Sequence, residues 1–505
     1  MDNNRQRETP YDPISNHGEL PPLNRLRAAD IRQLFSGCHD VSVEEYGFLP
    51  HTPSLQVYLI YANGLCDKRK IMHMFLPRIS ELFEAKEIAN AEDLERKRPF
   101  LLSKLKVPDA HTVVDHVFNG KLLLLFEAWE TIFSIDLTDR PERSPEEPST
   151  EVSVRGPRDG FIEDITVNVA LVRKRLKTPL LHYEVYTAGS QTRTRIGLMY
   201  LHQTVDPKLI EEIRNKLSSI KTNGIVSSTQ LEELILDTPF TLLPMYEYTG
   251  RPDFAVNSLL TGRFVIFVDG SPTALVAPVN FSFLLNTAED VNVSFYQAVF
   301  VRLIRLISVG TALFLPGFWV ALITYHQDQL PYTLIATIFL SRQGVPLPAA
   351  LETLLMLMLF ELFREAGLRM PTPIGQTLSV VGGLVVGQAA ISAGLTSPAS
   401  LVIMAISVMA TYTILNQSLV ASISITRIAI LLICSFLGAF GFMMALIGTL
   451  LFYGNTRSYG VYYMEPFSPP VMKDLLKVLI RTPWRLWEGR ASILKRSSRK
   501  ELDSE

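Results

Sequence analysis

MPTPIGQTLSVVGGLVVGQAAISAGLTSPASLVIMAISVMATYTILNQSLVASISIT, residues 370–426, runs for 57 residues without a Lys, Arg, Asp or Glu. Arg427 ends it, and 29 more uncharged residues follow, Ile428 to Thr456. About 10–14 continuous apolar residues suit a soluble core helix, whereas about 20 are needed to cross a bilayer. Two runs of this length predict an all-α, multi-span membrane domain. The wider window 301–456 holds six arginines (Arg302, Arg305, Arg342, Arg364, Arg369, Arg427), no lysine, and four acids (Asp328, Glu352, Glu361, Glu365).

The rest of the charge separates around this block. The 505 residues carry 48 Lys+Arg against 50 Asp+Glu, a net charge of −2, with a mean hydropathy of +0.20. The tail 457–505 is +4 and the membrane block +2, which leaves −8 for the first 300 residues. An apolar fraction of 48% excludes a disordered chain. The balanced charge argues against a nucleic-acid binder. The N-terminus MDNNRQRETPYDPISNHGELPP lacks the apolar core of a secretory signal, so the acidic region is expected to stay in the cytoplasm. Arg302 and Arg305 precede the first apolar run, and nine Lys/Arg stand against two acids between Lys473 and Lys500. The positive-inside rule then puts both termini in the cytoplasm. Trp484 and Trp487 among the tail's cations suit an amphipathic segment on anionic lipids, or simply a solvated basic tail.

Apolar segments fall at about 303–325, 332–341, 349–363, 374–394, 398–420 and 425–453. Parity requires an even number of crossings. Four spans with 332–363 as an interfacial or re-entrant hairpin satisfy it, and so do six. Cys38, Cys66 and Cys434 are scattered and show no metal spacing, so free thiols are expected.

The acidic region looks duplicated. VYLIYANGLCDKRKIMHMF (57–75) aligns with IGLMYLHQTVDPKLIEEIR (196–214), matching Tyr61 with Tyr200 and Asp67 with Asp206. Alternating apolar residues indicate a strand, and the Asp caps the helix after it. TVVDHVFNGKLLLLFEA (112–128) aligns with FAVNSLLTGRFVIFVDG (254–270), matching Gly120 with Gly262. That pattern is a helix, a Gly C-cap and a strand. The expected fold is an α/β cytoplasmic domain of two similar αβ subdomains, then an all-α multi-span membrane domain and a short helical tail. The boundaries are a flexible polar N-terminus 1–27, subdomain one at 28–140, a linker at 141–149, subdomain two at 150–288, the membrane domain at 289–456 and the tail at 457–505.

Four strings resemble the A subunits of GerA-type spore germinant receptors, the GerABKA family: SVRGPRDGFIEDITVNVALVRKRLKTPLL (153–181), GRPDFAVNSLLTGRFVIFVDGSPTALVAPVNF (250–281), ITYHQDQLPYTLIATIFLSRQGVPLPAALE (323–352) and FELFREAGLRMPTPIGQTLSVVGGLVVGQAAISAGLTSP (360–398). The resemblance extends from about 30 to 490, and its motifs occur in order. It departs after His326, where Gln-Asp-Gln stands in place of acidic residues. The resemblance implies a subunit of a three-part receptor in the spore inner membrane, with a transporter-like B subunit that binds the nutrient and a lipoprotein C subunit as partners. It also implies a homo-oligomeric ring that conducts ions once nutrient binds.

Individual residues carry alternatives. Arg155 and Arg158, in the loop Arg155-Gly156-Pro157-Arg158-Asp159-Gly160, either hold an anion at the start of a helix near 161–176 or pair with Asp159, Glu163 or Asp164. In ELFREAGLR, Glu361, Arg364, Glu365 and Arg369 fall on one helical face, as protomer glue or as part of an ion path. Glu352 stands alone in an apolar run, which favours a water-facing role, and with Glu361, Gln376 and Gln388 it is a candidate pore or gating residue. Gln376 and Gln388 either line a pore or bond across helices, and Ser379, Gly383 and Gly387 form a small-residue packing stripe. No HExxH, GxSxG, Walker or Rossmann pattern occurs, so neither enzymatic activity nor a metal or cofactor is expected. The functional readings are a channel-forming receptor subunit, a non-conducting scaffold that docks germination effectors and, more weakly, a secondary transporter.

Overall fold

The computed structural model describes residues 26–47, 56–85, 88, 90–97, 99–105, 109–139, 156–237, 240–368, 385–468, 470 and 475. Its first sheet joins β1 (Val41–Gly47), β2 (Gln56–Ala62), β3 (Ser103–Lys104), β4 (Lys121–Phe126) and β5 (Thr131–Asp136), in the antiparallel order β1-β2-β4-β5-β3. Helices α1 (Ala28–Leu34), α2 (Leu76–Glu84) and α3 (Ala110–Phe118) flank it. Tyr58, Ile60 and Ala62 of β2 join one core with Ile31, Val113 and Val117. Val57, Leu59 and Tyr61 join a second core with Phe75, Ile79 and Phe83. Because helices cover both faces, both phases of the strand are apolar, and β2 and β4 read as the near-continuous runs VYLIYA and LLLLF.

The second sheet comprises β6 (Leu181–Ala188), β7 (Thr194–Leu201), β8 (Glu247–Thr249), β9 (Phe264–Val268) and β10 (Ala274–Ala277). Its order, β6-β7-β9-β10-β8, repeats the permutation of the first. The matched landmarks recur in the same roles. Asp67 accepts from the amides of Arg69 and Lys70 at 3.0 and 3.1 Å, and Asp206 accepts from Lys208 N at 3.0 Å. Gly120 and Gly262 both adopt the left-handed conformation, with φ +84 and +94. A Cβ on Gly120 would lie 2.4 Å from the Leu65 carbonyl oxygen, so the turn admits no side chain.

Two compact units result. The first contains the first sheet and α4 (Ile165–Arg173), whose C-terminal Arg173 reaches Asp40 just ahead of β1. The guanidinium donates from Nε to Oδ2 at 2.8 Å and from Nη2 to Oδ1 at 2.7 Å, and its Nη1 donates to Thr178 O at 2.9 Å. Its side chain is fully buried, with its Cζ 4.4 Å from the Phe118 ring centroid. Burial opposes the charge, but Asp40 outweighs it and holds the guanidinium above its ordinary pKa. Burial also pushes the adjacent Cys38 thiol up to about 12, and all three cysteines are buried and free of disulfides.

The second unit contains β8–β10 and the helices that follow them. These are α5 (Phe295–Tyr325), α6 (Tyr332–Ser341), α7 (Ala349–Leu368), α8 (Pro398–Tyr412) and α9 (Gln417–Asn455), with a further helical stretch over 385–392. Two of them, α5 with 31 residues and α9 with 39, are long and apolar enough to cross a membrane. The short segments differ from the sequence reading. Residues 349–368 form one 20-residue helix whose Met356 and Leu357 share a buried cluster with Val320, Met404, Val408 and Leu431. The expected span 398–420 breaks in two. Thr411 and Thr413 hydroxyls donate back to Val408 O and Ala410 O as α8 ends, and Asn416 then caps α9 by accepting from Leu419 N at 2.7 Å.

A kink divides α9 at Gly438, whose φ of +58 and ψ of −137 lie outside any helical region. The Tyr325 hydroxyl donates to Ser435 O at 2.8 Å, satisfying a carbonyl beside the break. A Cβ on Gly438 would meet the Tyr325 ring at 2.9 Å.

Breaking the buried pair by Asp40→Ala is expected to destabilise the first unit by about 3–5 kcal/mol, because Arg173 is left charged in the core. Replacing both partners with apolar residues, Asp40→Leu with Arg173→Met, should recover most of the loss. Thermal unfolding of the detergent-solubilised chain measures both. Equal melting of the parent and the Asp40→Ala chain would show that the pair contributes nothing.

Candidate functional site

The polar groups of the helical region gather at three stations within the second unit. At the first, Glu352 in the opening turn of α7 is fully buried. Its Oε1 accepts from Ser397 N at 2.7 Å, Ser397 Oγ at 2.8 Å and Thr396 Oγ1 at 3.0 Å. Ser397 is the N-cap of α8 and Pro398 follows it, an arrangement that starts helices. The carboxylate therefore sits at the positive end of the α8 dipole. Arg342 Nη2 approaches Oε2 at 3.4 Å, near enough for charge attraction, although Oε2 receives no hydrogen bond. The expectation that Glu352 faces water fails here: its side chain fastens α7 to the start of α8.

At the second station, Glu361 of α7 lies between two guanidiniums. Arg364, three residues on, binds its Oε2 at 2.7 Å, and Arg427 of α9 donates to its Oε1. Arg427 is 1% exposed and also donates to Ser407 Oγ of α8 at 3.3 Å and to Ser424 Oγ at 3.4 Å. Arg364 donates to the same Ser424 at 2.8 Å. Two residues of α7 thus grip two residues of α9, one helical turn apart on each. Isolating a buried guanidinium by removing its carboxylate costs about 3–5 kcal/mol, so this grip fixes the register between the helices.

The third station is the turn between α8 and α9. Asn416 donates to the Glu247 carboxylate on β8, and Ser422 Oγ donates to Leu242 O at 2.5 Å. Beside this turn opens a crevice of about 280 Å³, lined by Glu247, Arg251, Glu289 and Asn416 among others. Arg251 bonds Asp253 at 2.7 Å and Glu289 at 2.8 Å. Burial opposes its charge, but these two acids hold it above its ordinary pKa. The start of α5 is held similarly. Arg305 donates to Leu285 O at 2.9 Å, Asp290 Oδ2 at 2.8 Å and Thr287 Oγ1 at 3.2 Å. Arg302 and Arg305, expected as membrane-flanking cations, are thus drawn toward Asp290; Arg302 Nε is 3.7 Å from it.

Of the remaining sequence candidates, Gln388 is exposed, and Gly387 packs so closely that a Cβ would stand 3.1 Å from Leu401 Cδ2. Gln376, Ser379, Gly383 and Arg155 lie outside the described residues. Gly156, Pro157, Arg158 and Gly160 form irregular backbone ahead of α4. That helix starts at Ile165, and Asp164 caps it by accepting from Thr166 N at 2.7 Å. A carboxylate already occupies the position an anion would take, which disfavours the anion-binding alternative. Arg427 and Arg342 were not singled out from the sequence. Arg427 nevertheless carried a signal, as the one charge between Arg369 and Arg457.

Truncating Glu352 to Ala should lower the amount of folded chain in the membrane fraction and cost about 3–5 kcal/mol, whereas Glu352→Gln keeps a carbonyl acceptor at Oε1 and should retain most of the stability. Quantitative immunoblotting with a thermal-shift series checks this. If both variants matched the parent, the fastening role of Glu352 would be wrong.

Comparison with known proteins adds a second line of argument. The family model for the Bacillus/Clostridium GerA spore germination protein matches residues 29–493. The chain is 44% identical over 455 residues to spore germination protein XA of Bacillus anthracis, covering 90% of this chain and 92% of that one. It is 35% identical over 469 residues to spore germination protein GerLA of Bacillus cereus, covering 92% and 94%. Among solved structures, the N-terminal domain of the A subunit of the Bacillus megaterium spore germinant receptor GerK3 aligns with 50% of this chain and 92% of that one, at 26% identity and a TM-score of 0.38.

Proposed function

We propose that this chain, which belongs to the Bacillus/Clostridium GerA family of spore germination proteins, is the A subunit of a nutrient germinant receptor in the spore inner membrane. The observation that carries this reading is the family match across nearly the whole length, joined to relatives named as spore germination proteins. In the proposed receptor the chain is multi-pass, with both termini in the cytoplasm. It assembles into a homo-oligomeric ring with a transporter-like B subunit and a lipoprotein C subunit. Nutrient binding at the partner opens an ion path through the ring, and the ion loss triggers germination. The subunit carries out no covalent chemistry.

Long apolar helices support the membrane placement, and the polar stations support gating by helix rearrangement. Helices held by a few strong polar bonds switch between discrete arrangements rather than deforming continuously. One observation favours the alternative of a non-conducting scaffold: Glu352 and Glu361 both turn into the protomer rather than onto an open surface.

Planar-bilayer recording separates the two readings. The complete receptor, reconstituted with its partner subunits and exposed to amino acids, sugars and nucleosides as probes, is expected to give unitary currents that disappear when the probe is withdrawn. Electrical silence of the assembled complex with every probe would favour the scaffold.

A further inference from the structure

Glu361 offers more than a buried ion pair, because of what lies on each side of it. Arg427, its partner on α9, stands 11 residues beyond Asn416, a distance of about 16 Å along the helix axis. Asn416 and Ser422 bind that end of α9 to Glu247 on β8 and to the Leu242 carbonyl. A continuous helical rod therefore runs from the β8 clamp to the guanidinium that holds α7.

Apolar contacts alone would not fix where α7 sits along α9. Apolar contact is non-directional, so the hydrophobic cluster that Leu357 and Leu431 share draws α7 to α9 without singling out one axial position. The polar grip does single one out. A one-turn slide of about 5 Å would part Glu361 from Arg427 and Arg364 from Ser424 together, leaving a guanidinium with no route to water.

We infer that Glu361 is the positioning residue that keeps α7 docked on α9 in the resting receptor, and that displacement of α9 by its β8 clamp opens the receptor by withdrawing Arg427 from it. This deepens the channel reading of the preceding subsection and rests on it for the consequence, though not for the bond.

The test uses full-length receptor with its partner subunits, in spores lacking other germinant receptors. Glu361→Gln is expected to raise nutrient-free release of monovalent cations by roughly tenfold or more at a normal receptor level, a change in the usual range of allosteric coupling. Parental release with intact nutrient dependence overturns the inference. If the Gln variant does not accumulate, the exchange E361R/R427E is compared with R427E alone. Recovery of receptor level and nutrient dependence in the exchange supports an electrostatic grip, and no recovery overturns it.

A readout free of ion flow is disulfide bridging of L357C/L431C by molecular iodine, a small apolar oxidant that enters the buried cluster these two positions share. Bridging is expected to be efficient without nutrient and to fall by about threefold or more in the Glu361→Gln background. Unchanged bridging overturns the positioning role. If the parent releases no cations with any nutrient probe while bridging still depends on Glu361, the channel reading fails and the positioning role stands.

Discussion

A guanidinium that has left water needs a carboxylate beside it, and the interior of this protein is arranged around that need. Arg173 has Asp40, Arg251 has Asp253 and Glu289, Arg305 has Asp290, and Arg427 has Glu361. Apart from Arg251 and Asp253, which are two residues apart, each pair joins separate stretches of the chain, and removing either partner would strand a buried charge. Arg263 shows what happens otherwise. It relies on the Pro278 carbonyl, the Thr261 hydroxyl and the face of Phe283, 3.8 Å from its Cζ, and burial pulls its pKa down to about 9. A guanidinium held that way packs one loop. It does not bind distant elements together.

The repeated sheet permutation gives these pairs a rigid base. Continuous apolar strands such as LLLLF need cover on both faces, and the cores on the two sides of the first sheet supply it. Polar side chains then have few places left inside. They appear at strand ends, helix caps and the loops ahead of helices, which is where Asp40, Asp67, Asp206, Glu247 and Asp290 are found. In the helical region Glu361 and Arg427 are exceptions, which meet within α7 and α9 and there take each other as partners.

The sequence made the duplication legible because two kinds of landmark are local. An Asp cap and a left-handed Gly each act within four residues, so Asp67, Asp206, Gly120 and Gly262 could be read from their own neighbourhoods. The long apolar helices α5 and α9 were legible for a similar reason, since continuous lack of charge is a property of one stretch. Pairings were not legible. Glu352 looked solitary in sequence because its partners, Thr396 and Ser397, lie 44 and 45 residues away, and it was misread as facing water. The apparent span 398–420 hid a break because Thr411, Thr413 and Asn416 are uncharged; their hydroxyl and amide groups interrupt a helix without lowering its hydropathy much.

Spacing along α9 ties the stations together. Asn416, Arg427 and Gly438 are separated by 11 residues each, and 11 residues make about three turns of an α-helix, so all three fall on nearly one face. The same face therefore meets the Glu247 carboxylate at its start, Glu361 of α7 one step on, and the Tyr325 ring of α5 where the helix breaks. A rotation of α9 about its axis would disturb all three contacts at once, whereas bending at Gly438 would disturb only the last. The first two contacts are charge-assisted; at the third the Tyr325 hydroxyl donates to Ser435 O while its ring fills the space a Cβ would need, so Gly438 is the position on that face where only a glycine lets α5 approach the backbone.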